Sequence, residues 1–222
     1  MRYVATIAAL AMLAVPAHAQ VTSYYSWEDE GTILGSYGNL TDATNVTGAQ
    51  MGSQGSTLPD YECPGAYEGT HYLHVAEDPH SGTPQAYLAW VTGLNDGDFV
   101  TAGFYGYDIT AGSSPSLRIW GSYTTSDDIN NYLASAGGSS EYTAGLGWDY
   151  VEYTWEFAGG DGNALLIQGR LYSTPSTSDP DHTDFWIDMI TVTSPAHGTQ
   201  VFPGESTPVE AGSWARVKAL YR

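Results

Sequence analysis

The chain has 222 residues and sets 25 acidic side chains against 6 lysines and arginines, a formal charge of −19. Residues 20 to 205 are more lopsided, with 24 acids facing only Arg118 and Arg170, a formal charge of −22. Such a surface disfavours nucleic acid and anionic membranes, and suits cations or neutral ligands.

Taken in chain order, residues 1–19 read as an export signal. Arg2 gives a positive start, Ile7 to Val15 is a short apolar run, and Ala17-His18-Ala19 is a small-x-small cleavage pattern before Gln20. The run is too short to span a bilayer and no later stretch is long enough, so a secreted protein with no membrane span is expected. Residues 20–195 then read as one β domain and 196–212 as a proline- and glycine-rich spacer. Residues 213–222 read as a short basic tail, "SWARVKALYR" in its setting, suited to envelope docking or self-association.

Within the domain, short alternating runs are punctuated by turn signals such as "LNDGD", "TAGSSPS" and "GGDGN", and nothing has sustained helical periodicity. The expected strands are "SYYSWED", "GTHYLHVAE", "QAYLAWVTGL", "DFVTAGFYGYDI", "SLRIWGSY", "YVEYTWEF", "ALLIQGRLY" and "DFWIDMITV". Strands this short, separated by turns, predict an all-β fold: an antiparallel two-sheet β-sandwich or jelly roll.

"YVEYTWEF" shows the alternation, with Val151, Tyr153, Trp155 and Phe157 on one face and Glu152, Thr154 and Glu156 on the other. The same rule sends Val100, Ala102 and Phe104 inward and Thr101, Tyr105 and Tyr107 outward. Leu117 and Ile119 go in and Arg118, Trp120 and Ser122 out; Leu165, Ile167 and Leu171 go in and Gln168, Arg170 and Tyr172 out. With those strands adjacent in one sheet, Tyr105, Tyr107, Arg118, Trp120, Gln168 and Arg170 would form an aromatic and polar platform. Aromatic rings stack on sugar faces while Arg and Gln donate to hydroxyls, which suits a neutral polysaccharide. The plainer alternative is that these rings serve strand propensity and cross-strand packing.

"DFWIDMITV" raises a different question, because simple alternation puts Asp188 on one inward face with Trp186, Ile190 and Val192. An ionised, unpaired carboxylate there costs several kcal/mol, so it needs a base, a set of hydrogen-bond donors or a metal ion. Two arginines cannot serve 24 acids. Backbone donors or a cation remain, and calcium is the natural hard-oxygen choice outside the cell. Cys63 is the single cysteine, which excludes an internal disulfide and reads as a small buried hydrophobe.

The succession "SYYSWEDEG", "YEGTHYLHV", "VTGLNDGDFVTAGFYGYD", "SLRIWGSY", "GWDYVEYTWEF", "ALLIQGRLY" and "FWIDMITVT" resembles the galactose-binding-like β-jelly-roll of carbohydrate-binding modules, over residues 24 to about 193. The resemblance implies a structural calcium shared by Glu28 of "SWEDEG" and Asp188 of "WIDM", with backbone ligands near Gly69 and His71. It also implies a non-catalytic, polysaccharide-binding role.

Other motifs carry less. His71 and His74 are three apart in a strand and point to opposite faces, so they cannot share one metal. The acidic loop around Asp179, Asp181, His182 and Asp184 reads as an ordinary turn before a strand. Paired carboxylates suitable for a glycosidase occur, but none resolves into a general acid. No nucleophile elbow or phosphate loop is present. Asn39 and Asn45 match the glycosylation sequon. The expectation is therefore a secreted, non-enzymatic carbohydrate-binding protein. The rival readings are a structural surface or filament subunit and, third, a glycan-degrading enzyme.

Overall fold

A computed structural model describes residues 19–38, 40–52, 61–77, 82–108, 116–138, 147–172, 183–204 and 207–208. The export signal up to residue 18, the basic tail, Asn39, Asp179, Asp181 and His182 lie outside the described residues.

Two antiparallel sheets face each other, as the alternation predicts. The first sheet runs β11 (Gly147–Glu156), β8 (Phe99–Asp108), β13 (Thr183–Pro195), β1 (Gln20–Tyr25) and β15 (Thr207–Pro208). Beside β13, β6 (His71–Glu77) pairs its first half and carries β3 (Leu40–Thr47) outside it. The second sheet runs β10 (Ala134–Gly138), β9 (Ser116–Thr124), β12 (Ala164–Tyr172), β7 (Gln85–Thr92) and β14 (Thr199–Val201), with β2 (Gly35–Tyr37) also on β7. A small hairpin of β4 (Gln50–Gly52) and β5 (Tyr61–Cys63) stands apart from both. The stretch expected as spacer thus contributes β14 to one sheet and β15 to the other.

The main core fills the space between the sheets. Val100, Ala102 and Phe104 meet Leu117, Ile119, Leu165, Ile167 and Leu171 there, as expected, and all are essentially excluded from solvent. Tyr153 departs from its row: β11 is the edge of its sheet, and the ring is 36% exposed, packed beside Trp155.

The last long strand breaks the simple rule. Phe185, Ile187, Ile190 and Val192 all enter the inter-sheet core, which a strict two-residue period cannot achieve. The register against β8 shifts between Asp188 and Thr191, and Met189 takes a positive φ of 48°. This is a β-bulge, in which one extra residue reverses the facing of everything after it. Trp186 and Asp188 therefore share the opposite, outer face, so the expectation that Asp188 points inward with Ile190 and Val192 is corrected.

That outer face is covered in turn. Cys63, Tyr72 and Trp186 form a second buried cluster, flanked by Val46, Ala66, Tyr107 and Trp148. The hairpin lies so close that a Cβ on Gly52 would sit 2.6 Å from the Trp186 ring, which explains a glycine there. Burial pushes the Cys63 thiol up to about 11, so it behaves as the inert apolar group expected of it.

Candidate functional site

The outer face of the second sheet assembles four of the six residues expected in the platform. In the β9–β12 register Trp120 stands opposite Gln168, and Arg118 opposite Arg170. The Arg170 guanidinium lies 4.5 Å from the Trp120 ring centroid and 5.3 Å from that of Tyr172, while Arg118 lies 4.2 Å over Tyr172. Cations and rings therefore alternate along the face. Trp120 Nε1 donates to Ser135 Oγ at 3.0 Å, and Ser122 Oγ donates to Gln168 Oε1 at 3.2 Å.

Next to this ladder the face is concave. A cavity of about 570 Å³ is floored by Trp120, Ser122, Thr124, Leu166, Gln168 and Arg170. One side is built by Gln85 and Tyr87 of β7 and Tyr37 of β2, the other by Ile129, Asn130, Tyr132 and Ser135. Tyr37 and Tyr132 are 66% and 63% exposed, so their ring faces are open to a ligand. Burial, with the Tyr37 hydroxyl nearby, raises the Tyr87 phenol above its ordinary range. Sequence reasoning missed Tyr37, Tyr87, Gln85 and Tyr132. Tyr132 sits in the irregular loop before β10 and Tyr37 on a three-residue strand, where alternation gives no signal; Tyr87 and Gln85 precede the Leu88 bulge against β12.

No carboxylate lines the cavity among the described residues. Asp128 in the neighbouring turn directs its Oδ1 to the Asn130 amide at 2.8 Å.

Tyr105 and Tyr107 do not join this site, because β8 belongs to the first sheet. Tyr105 stacks on Tyr67 at 3.5 Å with ring planes 13° apart, and Tyr107 packs edge-on against Trp148 and Trp186. They face outward from their own sheet, as read, but a further layer covers them. The single-platform expectation is corrected to this extent.

Beside Tyr105 lies Asp188, fully buried, with the segment 67–71 drawn over it. Its Oδ2 accepts from the Glu68 amide at 2.9 Å and its Oδ1 from the Met189 amide at 2.6 Å. Burial pushes its pKa up to about 7, although the amides of Glu68, Met189 and Tyr67 pull the other way. Glu28 reaches the same segment: Oε1 accepts from the amides of Thr70 and His71 at 2.8 and 2.9 Å, and Oε2 from the Thr70 hydroxyl at 3.1 Å. Partial burial acts upward on Glu28, but these donors outweigh it and hold the carboxyl below its ordinary range. Gly69 has φ of +70°, and a Cβ there would collide with Glu28 Oε1, so only glycine suits the close approach. Glu28, Gly69, His71 and Asp188 are thus gathered at one segment. Their hard oxygen donors suit calcium in kind, while each carboxylate oxygen already accepts a protein donor. Among the described residues no group of three His, Cys, Asp or Glu side chains is placed to hold a metal.

His71 and His74 diverge as expected. His74 bridges two acids, Nδ1 to Asp42 at 3.2 Å and Nε2 to Asp184 at 2.7 Å, while His71 Nδ1 sits 2.9 Å from the Thr70 hydroxyl. Asn45 is committed internally, its Nδ2 lying within 3.0 Å of the carbonyls of Trp27, Asp29 and Gly31.

No family model matches the sequence, and no curated protein matches it. Solved structures do. The similar structures are mostly carbohydrate-binding modules. The family 30 module of a Clostridium thermocellum cellulosomal cellulase is 13% identical with a TM-score of 0.45, covering 78% of this chain and 98% of that one. The CBM22-1 xylan-binding domain of Paenibacillus barcinonensis Xyn10C is 16% identical with a TM-score of 0.40, covering 82% and 98%. The enzymatically active domain of tailspike protein 4 of bacteriophage CBA120 is 9% identical with a TM-score of 0.41, and the match spans 78% of this chain but 19% of that one. No helix among the described residues is long and apolar enough to cross a membrane.

Proposed function

We propose that this is an exported, non-catalytic protein that binds polysaccharide in the cavity on the outer face of the second sheet. The observation that carries this reading is the cavity itself: exposed Tyr37 and Tyr132 on opposite rims, above a floor of Trp120, Gln168 and Arg170. Rings at the rims stack on sugar faces and the floor supplies directed hydrogen bonds, a division of labour suited to a chain of hydroxylated rings. Glycoside hydrolysis needs two carboxyl groups about 5 to 10 Å apart across the scissile bond. The described lining residues, which include no carboxylate, support binding without cleavage.

Retention on a panel of insoluble and soluble polysaccharides, neutral and acidic, tests the reading. Binding should fall at least tenfold in Trp120→Ala and in Tyr132→Ala with unchanged melting temperature. Retention on no glycan would reject the reading, and release of reducing ends would reject the non-catalytic part.

A structural calcium ion held by Glu28, Asp188 and the backbone around Gly69 and His71 is proposed alongside. Its support is the convergence of two carboxylates on one short segment in a strongly acidic domain. Chelation should lower the melting temperature, and Asp188→Ala should remove the difference. Equal melting with and without calcium would leave the amide hydrogen bonds as the whole anchorage.

A further inference from the structure

We propose that the Arg118 and Arg170 pair on the second sheet receives the carboxylate groups of an acidic polysaccharide, so that the ligand in the adjoining cavity is a uronic-acid-containing glycan. This rests on the carbohydrate-binding reading above and names its ligand class.

Four observations converge. The two arginines are the only Lys or Arg residues between positions 20 and 205, yet they stand directly opposite each other in the sheet. Like charges placed so are mutually destabilising. Twenty-four acids are present in that stretch, but among the described residues neither arginine is paired with a carboxylate. The strands of the second sheet contain no Asp or Glu at all. A structural role for the pair would call for a partner acid, and the described residues supply none.

The donors are also left over. Each guanidinium offers five N–H groups. Arg118 Nε donates to Ser116 Oγ at 3.1 Å and Arg170 Nη2 to Thr83 Oγ1 at 3.1 Å, and Arg170 Nε is buried away from any ligand, so the donors on offer are the remaining Nη hydrogens of both side chains. The contacts with Trp120 and Tyr172 consume no N–H donor, so Nη hydrogens remain for a ligand. A guanidinium with free Nη hydrogens can grip a carboxylate bidentately.

The remaining charge selects among anions. A domain of −22 opposes every densely charged polyanion, so the glycan that fits best is one whose uronates are spaced along an otherwise neutral chain, with the arginine pair meeting one of them. A uronate carries at most one charge per ring, and at physiological salt acids more than about 8 Å away are largely screened. The local pair then dominates.

The test compares oligomers of polygalacturonate, alginate and glucuronoxylan with their carboxyl-reduced, neutral counterparts, with heparin as a sulfated control, by calorimetry on the full chain. At least one uronate should bind tenfold or more tightly than its reduced form. The preference should shrink to within twofold in the Arg118→Gln, Arg170→Gln double variant at unchanged melting temperature, and Arg170→Lys should restore only part of it. Equal affinity for acidic and reduced forms would overturn the carboxylate assignment while leaving sugar binding intact. Tighter binding to heparin than to any uronate would replace carboxylate by sulfate, and a preference that survives the double variant would remove the arginines. Binding to none of these or to neutral glycans would overturn the carbohydrate reading itself.

Discussion

The two outer faces of the sandwich are built from the same kinds of residue and end in opposite states. On the first sheet Tyr105, Tyr107, Trp148 and Trp186 are packed beneath Tyr67, the β4–β5 hairpin and the segment leading to Gly69. On the second, Trp120 and Tyr172 lie beside an open cavity and are stacked by arginines. Charge divides the same way, with Asp149, Glu152, Asp184 and Asp188 on strands of the first sheet and both arginines on the second. An outward aromatic residue is therefore no sign of a binding surface until one knows whether another layer covers it.

Breaking the covered face should have the largest effect on stability. Trp186→Ala empties the second cluster and should cost about 3–5 kcal/mol. Urea unfolding measures this, and glycan affinity of the folded fraction should not change. A loss below 1 kcal/mol would mean that the hairpin does not seal this face.

Asp188→Ala comes next. It leaves the partly buried amides of Glu68 and Met189 without their acceptor, each worth up to roughly 1–3 kcal/mol where water cannot replace it. Removing a carboxylate that burial disfavours offsets part of that, so a net loss of about 2 kcal/mol is expected in chelator by thermal unfolding. The pH dependence has a definite sign. With its folded pKa raised to about 7, Asp188 holds its proton more tightly when folded. Its contribution is therefore full below about pH 4 and is lost as pH rises through 7. Unfolding followed in chelator should show this slope, Asp188→Asn should flatten it, and saturating calcium should reverse it under the calcium proposal.

The open face should respond in affinity alone. Tyr37→Ala should weaken glycan binding by about 1–2 kcal/mol. Being exposed, it should move stability by less than about 0.5 kcal/mol. A matching Tyr105→Ala should do the reverse, loosening the stack on Tyr67 and leaving affinity unaltered.

These contrasts also explain which parts of the molecule were readable beforehand. Residues with two well-paired neighbours obeyed alternation: Arg118, Trp120, Gln168 and Arg170 emerged together because β9 and β12 run in unbroken register. Sheet membership was not readable, since nothing in the "DFVTAGFYGYDI" run says which sheet receives it, and so Tyr105 and Tyr107 were grouped with strands they never meet. Asp188 was recognised as a buried acid needing partners. Its facing was missed because the Met189 bulge has no signature in side-chain polarity; a single extra methionine looks like any other strand residue. Tyr132 carries no such signal because an irregular loop has no period.

The Met189 bulge lets β13 divide its loyalties: its first half offers Trp186 and Asp188 to the outer layer, and its second half returns Ile190 and Val192 to the middle of the sandwich. Shortening the chain by that one residue would force a choice. Either the indole and the carboxylate swing into the greasy interior, or two aliphatic side chains turn out to water, so the small hairpin roof exists at the mercy of a single insertion.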